Sequence, residues 1–384
     1  MKNILILGST GSVGESTLKV IEENKDSFRL IGMSFHRNSA RAIEIIEKYA
    51  PDFVYTNIED SKNAIKDMSE TSFEILSGSS DLEKLLTIHN VDIIVSAISG
   101  FAGLEATILA AKTGKRILLA NKESIVVAGD LLIPLAKEHE TQIIPIDSEH
   151  NAIHQCLLSC TDSNDISEIV ITASGGPFLN HSLDELSSVS IKQALAHPNW
   201  SMGSKISIDS ATLVNKCLEL IEAKYLFNLD ESKFSLVIHP QSIIHSIVTF
   251  TDGSSISQMS NPDMRVPIAN ALSFDRKVPF KFKPLDFSGM RLDFLPFPDD
   301  RIFLEEMART VCSDGGLLGT IFNAANEVAV ASFLKEEIKF SDIYSVIKRT
   351  FDTKSMSNNV DLESIYEMDK ETRIQAKKVI ESLP

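Results

Sequence analysis

A short apolar run, Asn3–Leu7, ends in Gly8-Ser9-Thr10-Gly11-Ser12-Val13-Gly14, and the chain turns helical from Glu15 to Asn24. This strand–turn–helix opening constrains the fold more than any other feature. Closely spaced glycines let the backbone turn tightly and approach a pyrophosphate, while the helix start beyond them offers free N–H groups and a partial positive charge. The spacing, G-x-x-G-x-x-G, is a variant of the dinucleotide-binding fingerprint, and an ordinary glycine cluster between strand and helix has the same appearance. The next residues favour the dinucleotide reading. Strands are expected at Phe28–Ser34, Phe53–Tyr55, Val91–Ala97, Arg116–Ala120 and Gln142–Ile146, with helices at Ala40–Tyr49, Leu104–Thr113 and Ser124–Glu138. Apolar strands alternating with helices build a parallel sheet covered on both faces.

After about Asp147 the pattern changes. Strands at Glu168–Ala173, Leu236–Ile238 and Ser246–Thr251 mix with Gly, Pro and polar motifs. From Phe274 to Asp300 the chain carries Pro279, Pro284, Pro296 and Pro298 with little periodicity. From Arg301 onward apolar residues recur every three or four positions, as on helices. The expected fold class is α/β: a doubly wound, Rossmann-like parallel sheet at the N-terminus, an α+β catalytic domain and a C-terminal helical domain. The expected boundaries are 1–147 for the dinucleotide domain, 148–274 for the catalytic domain, 275–300 for a linker and 301–384 for the helical domain. A chain of 384 residues is long for one core and suits such a division.

Charge and composition narrow the function. Fifty-three acidic against 37 basic residues give a net charge of −16, and no Lys/Arg-rich run is present, which argues against a nucleic-acid partner. No apolar run reaches the roughly 18–20 residues needed to span a bilayer. The opening Met1–Gly8 is too short to read as a signal peptide. The four cysteines show no disulfide framework, so the expected location is a reducing cytoplasm. An anionic substrate must then be drawn in by a local cluster of donors.

Candidate chemistry sits at three places. After the second strand, where an NAD site carries Asp or Glu, this chain has Phe35-His36-Arg37-Asn38-Ser39; donors and positive charge there suit the 2′-phosphate of NADP, or else form a solvated loop. In Pro145-Ile146-Asp147-Ser148-Glu149-His150-Asn151, two carboxylates two residues apart converge on one hard cation if the backbone is extended, although such pairs are common on surfaces. In a helix over Thr212–Lys224, Asn215, Lys216 and Glu219 share a face and could hold a phosphate beside a metal, or form only a surface ion pair.

These residues also resemble a known family, the 1-deoxy-D-xylulose 5-phosphate reductoisomerases. The resemblance runs over nearly the whole chain. It includes Gly8–Gly14, Leu119-Ala120-Asn121-Lys122-Glu123-Ser124, Asp147–Asn151, Ser174-Gly175-Gly176-Pro177-Phe178, and His197-Pro198-Asn199-Trp200-Ser201-Met202-Gly203. It continues through Ser207–Glu219, His239-Pro240-Gln241-Ser242, Asn261-Pro262-Asp263-Met264-Arg265 and Asn323-Ala324-Ala325-Asn326-Glu327. One departure is His36, where members commonly carry a small residue such as Gly.

The resemblance implies NADPH as cofactor, Mg²⁺ or Mn²⁺ as metal, a small sugar phosphate as substrate and a homodimer. It implies reduction and skeletal rearrangement of 1-deoxy-D-xylulose 5-phosphate to 2-C-methyl-D-erythritol 4-phosphate, in isoprenoid precursor synthesis. It implies that Asp147, Glu149 and Glu219 bind the metal, and that Ser148 and Lys122 contact the substrate near its reacting carbons. Ser174, His197, Ser210, Asn215 and Lys216 would hold its hydroxyl and phosphate end, and Trp200 and Met202 would lie on a flap that closes over it. Asn121 and Glu123 would lie beside the nicotinamide. With Gly203, they join Gly8, Thr10, Gly11, Ser12, Val13, Gly14, Arg37 and Asn38 as expected cofactor contacts. The residue types fit the chemistry, because an α-hydroxyketone that rearranges and then accepts hydride needs a Lewis acid, a nearby ammonium such as Lys122 and a lid.

Other readings explain less. His150, His154, Cys156 and Cys160 cannot close one zinc tetrahedron from a single helix, because the histidines and the cysteines fall on nearly opposite sides. His245 reads as a structural histidine, and Asn323–Glu327 reads equally as part of the site or as a helix-packing or interdomain contact. A different NADP oxidoreductase leaves the three acids unexplained, and an NADP-sensing regulator leaves both the metal and phosphate constellations unexplained.

Overall fold

A computed structural model describes residues 1–66, 72–273, 277–353 and 360–383. The chain divides into two compact units. The first comprises Met1–Asn121, Pro134–Asn151 and Met264–Lys283; the second comprises Lys122–Ile133, Ala152–Asp263 and Pro284–Pro384.

The first unit is built on seven strands: β1 Lys2–Leu7, β2 Phe28–Ser34, β3 Phe53–Tyr55, β4 Glu74–Leu76, β5 Ile93–Ser96, β6 Arg116–Leu119 and β7 Gln142–Pro145. Their order is β4-β3-β2-β1-β5-β6-β7, and every pair is parallel. The central strands are runs of Ile, Leu and Val because helices cover both faces, so Ile4–Leu7 and Ile93–Val95 have no solvent exposure. The winding reverses at β1, which pairs with β2 on one side and β5 on the other. The carboxyl ends of such a pair form the crevice in which open α/β sheets bind ligands.

Residues 264–283 also belong to this unit. The helix Arg265–Leu272 buries Ile268, Ala269, Ala271 and Leu272 in its core. Asn24 donates to the Pro279 carbonyl at 2.8 Å, Lys281 N–H donates to Glu23, and the Arg265 guanidinium lies 5.2 Å from the Phe280 ring centre. The sequence reading placed this helix in the catalytic domain and the proline-rich stretch in a linker. The helix's apolar face explains why the fold places it elsewhere. The expected boundary between 274 and 275 lies outside the described residues.

The second unit holds a mixed sheet of β8 Ile166–Ala173, β9 Phe234–Ile238, β10 Ile244–Phe250, β11 Ser255–Met259 and β12 Leu295–Pro296, in the order β11-β10-β8-β9-β12. Only β8 and β9 run parallel. The helices Ile302–Asp314, Leu318–Leu334, Asp342–Phe351 and Leu362–Glu381 form the expected helical C-terminal region. Their apolar faces, with Phe322, Phe333 and Ile347, and Phe340 in the turn before the third helix, merge into the same core as Ile169, Ile171, Phe234 and Val248. The C-terminal helices therefore complete the α+β layer and do not fold around a core of their own. The expected linker supplies β12, whose Pro296 is tolerated because the strand lies at the sheet edge. Among the described residues no helix is long and apolar enough to cross a membrane.

Candidate active site

In the first unit, Gly8 follows β1 with φ +85°, and a Cβ there would meet the Ala97 carbonyl oxygen, just past β5, at 2.6 Å. A Cβ on Gly14 would meet the Gly8 and Ser9 carbonyl oxygens at 2.5 Å. Two glycines of the turn are thus required by close backbone approach at the point where the winding reverses. The end of β2 ties the turn down: Gly8 N–H donates to Ser34 Oγ at 2.9 Å, and Ser9 Oγ donates to the Ser34 carbonyl at 2.9 Å. The helix Ser12–Glu23 starts after Gly11 with no side-chain cap, so its first N–H groups, at Ser12, Val13 and Gly14, are offered outward from the backbone. Thr10 sits within the same turn. His36, Arg37 and Asn38 are exposed after β2. Asn38 has a structural task that the sequence reading missed, since its Oδ1 caps the Ser39–Tyr49 helix through Arg41 N–H. Asn121 is buried and donates to the Gly100 carbonyl at 2.9 Å.

Asp147 follows β7, and the helix Ser148–Leu157 begins directly after it. The two acids therefore meet through a helix start, not through the extended backbone expected from the sequence. Glu149 N–H donates to Asp147 Oδ1 at 3.2 Å, His150 Nδ1 lies 3.4 Å from the same oxygen, and Ser148 Oγ donates to Glu149 Oε2. One oxygen of each carboxylate lies within 4.8 Å of the other, close enough to share a hard cation.

The second unit gathers cations and amides about one carboxylate. The helix Val214–Phe227 begins after Leu213 in the left-handed region, φ +69°, two residues later than the sequence suggested. Glu219, 1% exposed, accepts from Lys122 Nζ at 3.0 Å and from Asn215 Nδ2 on Oε1, and from Lys216 Nζ on Oε2. Lys122 Nζ also donates to Asn215 Oδ1 at 3.0 Å. A carboxylate this buried persists because ammonium groups and an amide replace its water.

Ser174 stands at a tight turn in which Gly175 and Gly176 have φ +82° and +66°, and a Cβ on Gly176 would come within 2.8 Å of the Ser210 carbonyl oxygen. The turn therefore packs against the backbone at Ser210. Ser174 Oγ lies 2.9 Å from His197 Nε2 and accepts from Gly176 N–H at 3.1 Å. His197 Nδ1 accepts from Asn199 N–H at 3.1 Å and Trp200 N–H at 3.0 Å. Both of these hydrogens point at Nδ1, so the neutral ring carries its proton on Nε2, and burial lowers its pKa to about 4. Trp200 packs edge-on against His245, 5.9 Å between ring centres, and His245 Nε2 lies 2.9 Å from Ser260 Oγ. Met202 is half-buried, and Gly203 precedes the Ser204–Thr212 helix as its cap residue.

Two features escaped the sequence reading. Lys205 bridges Glu123 and Asp209, and the visible hint was only that Lys205 and Asp209 stand one helical turn apart. Asn326 donates to Asp209 Oδ1 at 2.8 Å, which gives the Asn323–Glu327 motif a place in the second unit. The cysteines are free thiols. Cys156 is buried, which pushes its pKa up to about 11.

A glycine turn at a reversal of winding, a carboxylate pair and a cluster of ammonium and amide donors define an α/β oxidoreductase acting on a small anionic compound. Family models for 1-deoxy-D-xylulose 5-phosphate reductoisomerase match residues 4–129, and models for its C-terminal domains match 143–227 and 259–375. The chain belongs to the 1-deoxy-D-xylulose 5-phosphate reductoisomerase family. Enzymes of that name from Acinetobacter baumannii and Pelotomaculum thermopropionicum are each 42% identical, with 100% of this chain covered and 99% and 100% of theirs. A crystal structure of DOX-P reductoisomerase with NADPH, fosmidomycin and magnesium superposes with TM-score 0.94 at 40% identity, over 99% of this chain and 98% of that one. The Zymomonas mobilis enzyme in complex with NADPH gives TM-score 0.90 at 39% identity, with both chains fully covered.

Proposed function

We propose that this chain reduces and rearranges 1-deoxy-D-xylulose 5-phosphate to 2-C-methyl-D-erythritol 4-phosphate, using NADPH and a divalent ion, Mg²⁺ or Mn²⁺, for isoprenoid precursor synthesis. The observation that carries the reading is the buried Glu219 carboxylate, held by Lys122, Lys216 and Asn215. The solved relatives with NADPH, and with NADPH, fosmidomycin and magnesium, support the cofactor pair.

The residues present fit both groups. The missing Cβ atoms at Gly8 and Gly14 keep the turn close and flat enough for a pyrophosphate, and Thr10, Gly11, Ser12 and Val13 would contribute the rest of the cradle. Arg37 and Asn38 would face the 2′-phosphate, with Asn121, Glu123 and Gly203 toward the nicotinamide. Asp147, Glu149 and Glu219 are the proposed metal ligands, oxygen donors of the kind a hard cation requires. When bound, the ion would supply Lewis acidity and the dinucleotide would supply the hydride. Lys122 and Ser148 would contact the substrate near its reacting carbons, and the Lys122 ammonium would lower the energy of negative charge developing there. Ser174 accepts from His197 and Gly176, which leaves its own hydroxyl proton to donate to the phosphate. Ser210, Asn215 and Lys216 would complete that pocket, and Trp200 and Met202 would exclude water.

Four free thiols suit a reducing cytoplasm, where we place the enzyme. Phe287, Phe294 and Leu295, all exposed on the second unit, support a homodimer, which sedimentation would measure. The deciding experiment follows NADPH oxidation with 1-deoxy-D-xylulose 5-phosphate, with and without a chelator. Substrate-dependent oxidation that the chelator abolishes is expected; oxidation indifferent to the chelator refutes the metal assignment.

A further inference from the structure

Lys205 lies 2.7 Å from Glu123 and 2.8 Å from Asp209, and retains 20% of its side-chain exposure. Glu123 is in the first turn of the Lys122–Glu138 helix, while Lys205 and Asp209 stand one turn apart on the Ser204–Thr212 helix. Asp209 is 1% exposed, and its second oxygen accepts from Asn326 on the Leu318–Leu334 helix. One ammonium, two carboxylates and an amide therefore tie three helices of the second unit together. Burial by itself raises the Glu123 pKa, yet the charge and hydrogen bond of Lys205 hold it below the usual carboxylate range, so the pair is ionised.

The helix that carries Glu123 is not continuous. Ala128 leaves the helical region, φ −139° and ψ 23°, so residues 122–127 form a short segment of their own. The far end of that segment is gripped by the Leu318–Leu334 helix. A Cβ on Gly319 would come within 1.9 Å of the Val126 carbonyl oxygen, and Thr320 Oγ1 donates to the Val127 carbonyl at 3.3 Å. The near end is gripped by Lys205. Between these holds the segment has little freedom, and its first residue is Lys122, whose long side chain is aimed by wherever its backbone starts.

We propose that Lys205 is a positioning residue for the reaction: by holding Glu123 against Asp209, it fixes the turn that presents Lys122 to the substrate. This rests on the role given to Lys122 above. A displacement of about 1 Å at a reacting group costs on the order of a hundredfold in rate, so a residue that touches no substrate can govern kcat in this way.

The test uses the full-length holoenzyme at saturating metal. Lys205→Met removes the charge and keeps the length, while Lys205→Arg keeps the charge. For Lys205→Met, kcat should fall by about ten- to a hundredfold, with KM for the sugar phosphate within about threefold of wild type. Lys205→Arg should recover most of the loss. Amide hydrogen exchange at residues 123–127 should accelerate in Lys205→Met and return toward wild type in Lys205→Arg, a local signature that general destabilisation does not give. Unchanged kcat in Lys205→Met, or equal loss in both variants without faster exchange in this turn, overturns the proposal. If Lys205→Met does not fold, Asp209→Asn decides: lower kcat at constant KM supports positioning, and unchanged kcat refutes it. If wild type does not turn over the sugar phosphate, the functional reading fails. The exchange measurement then decides alone, and unaltered exchange overturns the positioning role.

Discussion

Glu219 accepts from two ammonium groups, those of Lys122 and Lys216, and from the Asn215 amide. Glu219→Gln preserves the shape, removes the anion and leaves Lys122 and Lys216 facing an amide. We expect this variant to bind NADPH as wild type does, because the glycine turn is untouched, to lose at least about a hundredfold in turnover, and to require more metal. Cofactor fluorescence titration and turnover against metal concentration check the two halves. Wild-type activity in a chelator would show Glu219 to be merely structural. His197 carries a different consequence. Its pKa falls from 6.5 to about 4 on burial, so between those values the unfolded chain binds a proton that the folded chain does not. The stability tied to the neutral ring is complete above about pH 6.5 and declines as pH falls toward 4. His197→Gln should flatten that part of the profile, as measured by urea midpoints at pH 7 and 4.5; an unaltered slope refutes the assignment.

Among the elements, the helix Leu318–Leu334 depends on a glycine that its own conformation does not need. Gly319 sits in ordinary helical backbone, but its bare Cα faces the Val126 carbonyl oxygen at a distance no Cβ tolerates. Gly319→Ala should cost about 1–3 kcal/mol as the two helices separate, read as a lower urea midpoint. Nothing in the sequence singles this glycine out, because close approach between distant elements leaves no local pattern. Strands buried on both faces were legible for the opposite reason: β2 and β3 were read at their actual ends, since runs such as Phe28–Ser34 announce themselves. The short, polar β11 and the two-residue β12 escaped, because neither Ser255–Met259 nor Leu295–Pro296 shows alternation. The order of the candidate site residues was readable from motifs. What was not readable was Asp147 meeting Glu149 through a helix start, or Lys205 joining Glu123 to Asp209.

For the molecule as a whole, a net charge of −16 repels a sugar phosphate at long range. On the proposed function, its capture falls to local donors, which we assign to Ser174, Ser210, Asn215 and Lys216. Binding energy from the phosphate, which does not react, is available to draw the rest of the substrate into place, so its loss lowers kcat as well as raising KM. The dephosphorylated sugar, although it escapes the repulsion, should show kcat/KM lower by at least about a hundredfold. Comparable turnover of the two sugars, measured by NADPH oxidation, would remove the phosphate role from these residues.

The first unit is assembled from three separate stretches of chain, the last of them Met264–Lys283. Its core includes Ile268 and Leu272, so a nascent chain leaving the ribosome holds the sheet with part of its apolar cover missing until those residues emerge. By then most of the second unit has already been synthesised. The order of translation and the order of completion are therefore interleaved, and a genetic cut after residue 151 would release every strand of the parallel sheet with part of its hydrophobic cover still missing.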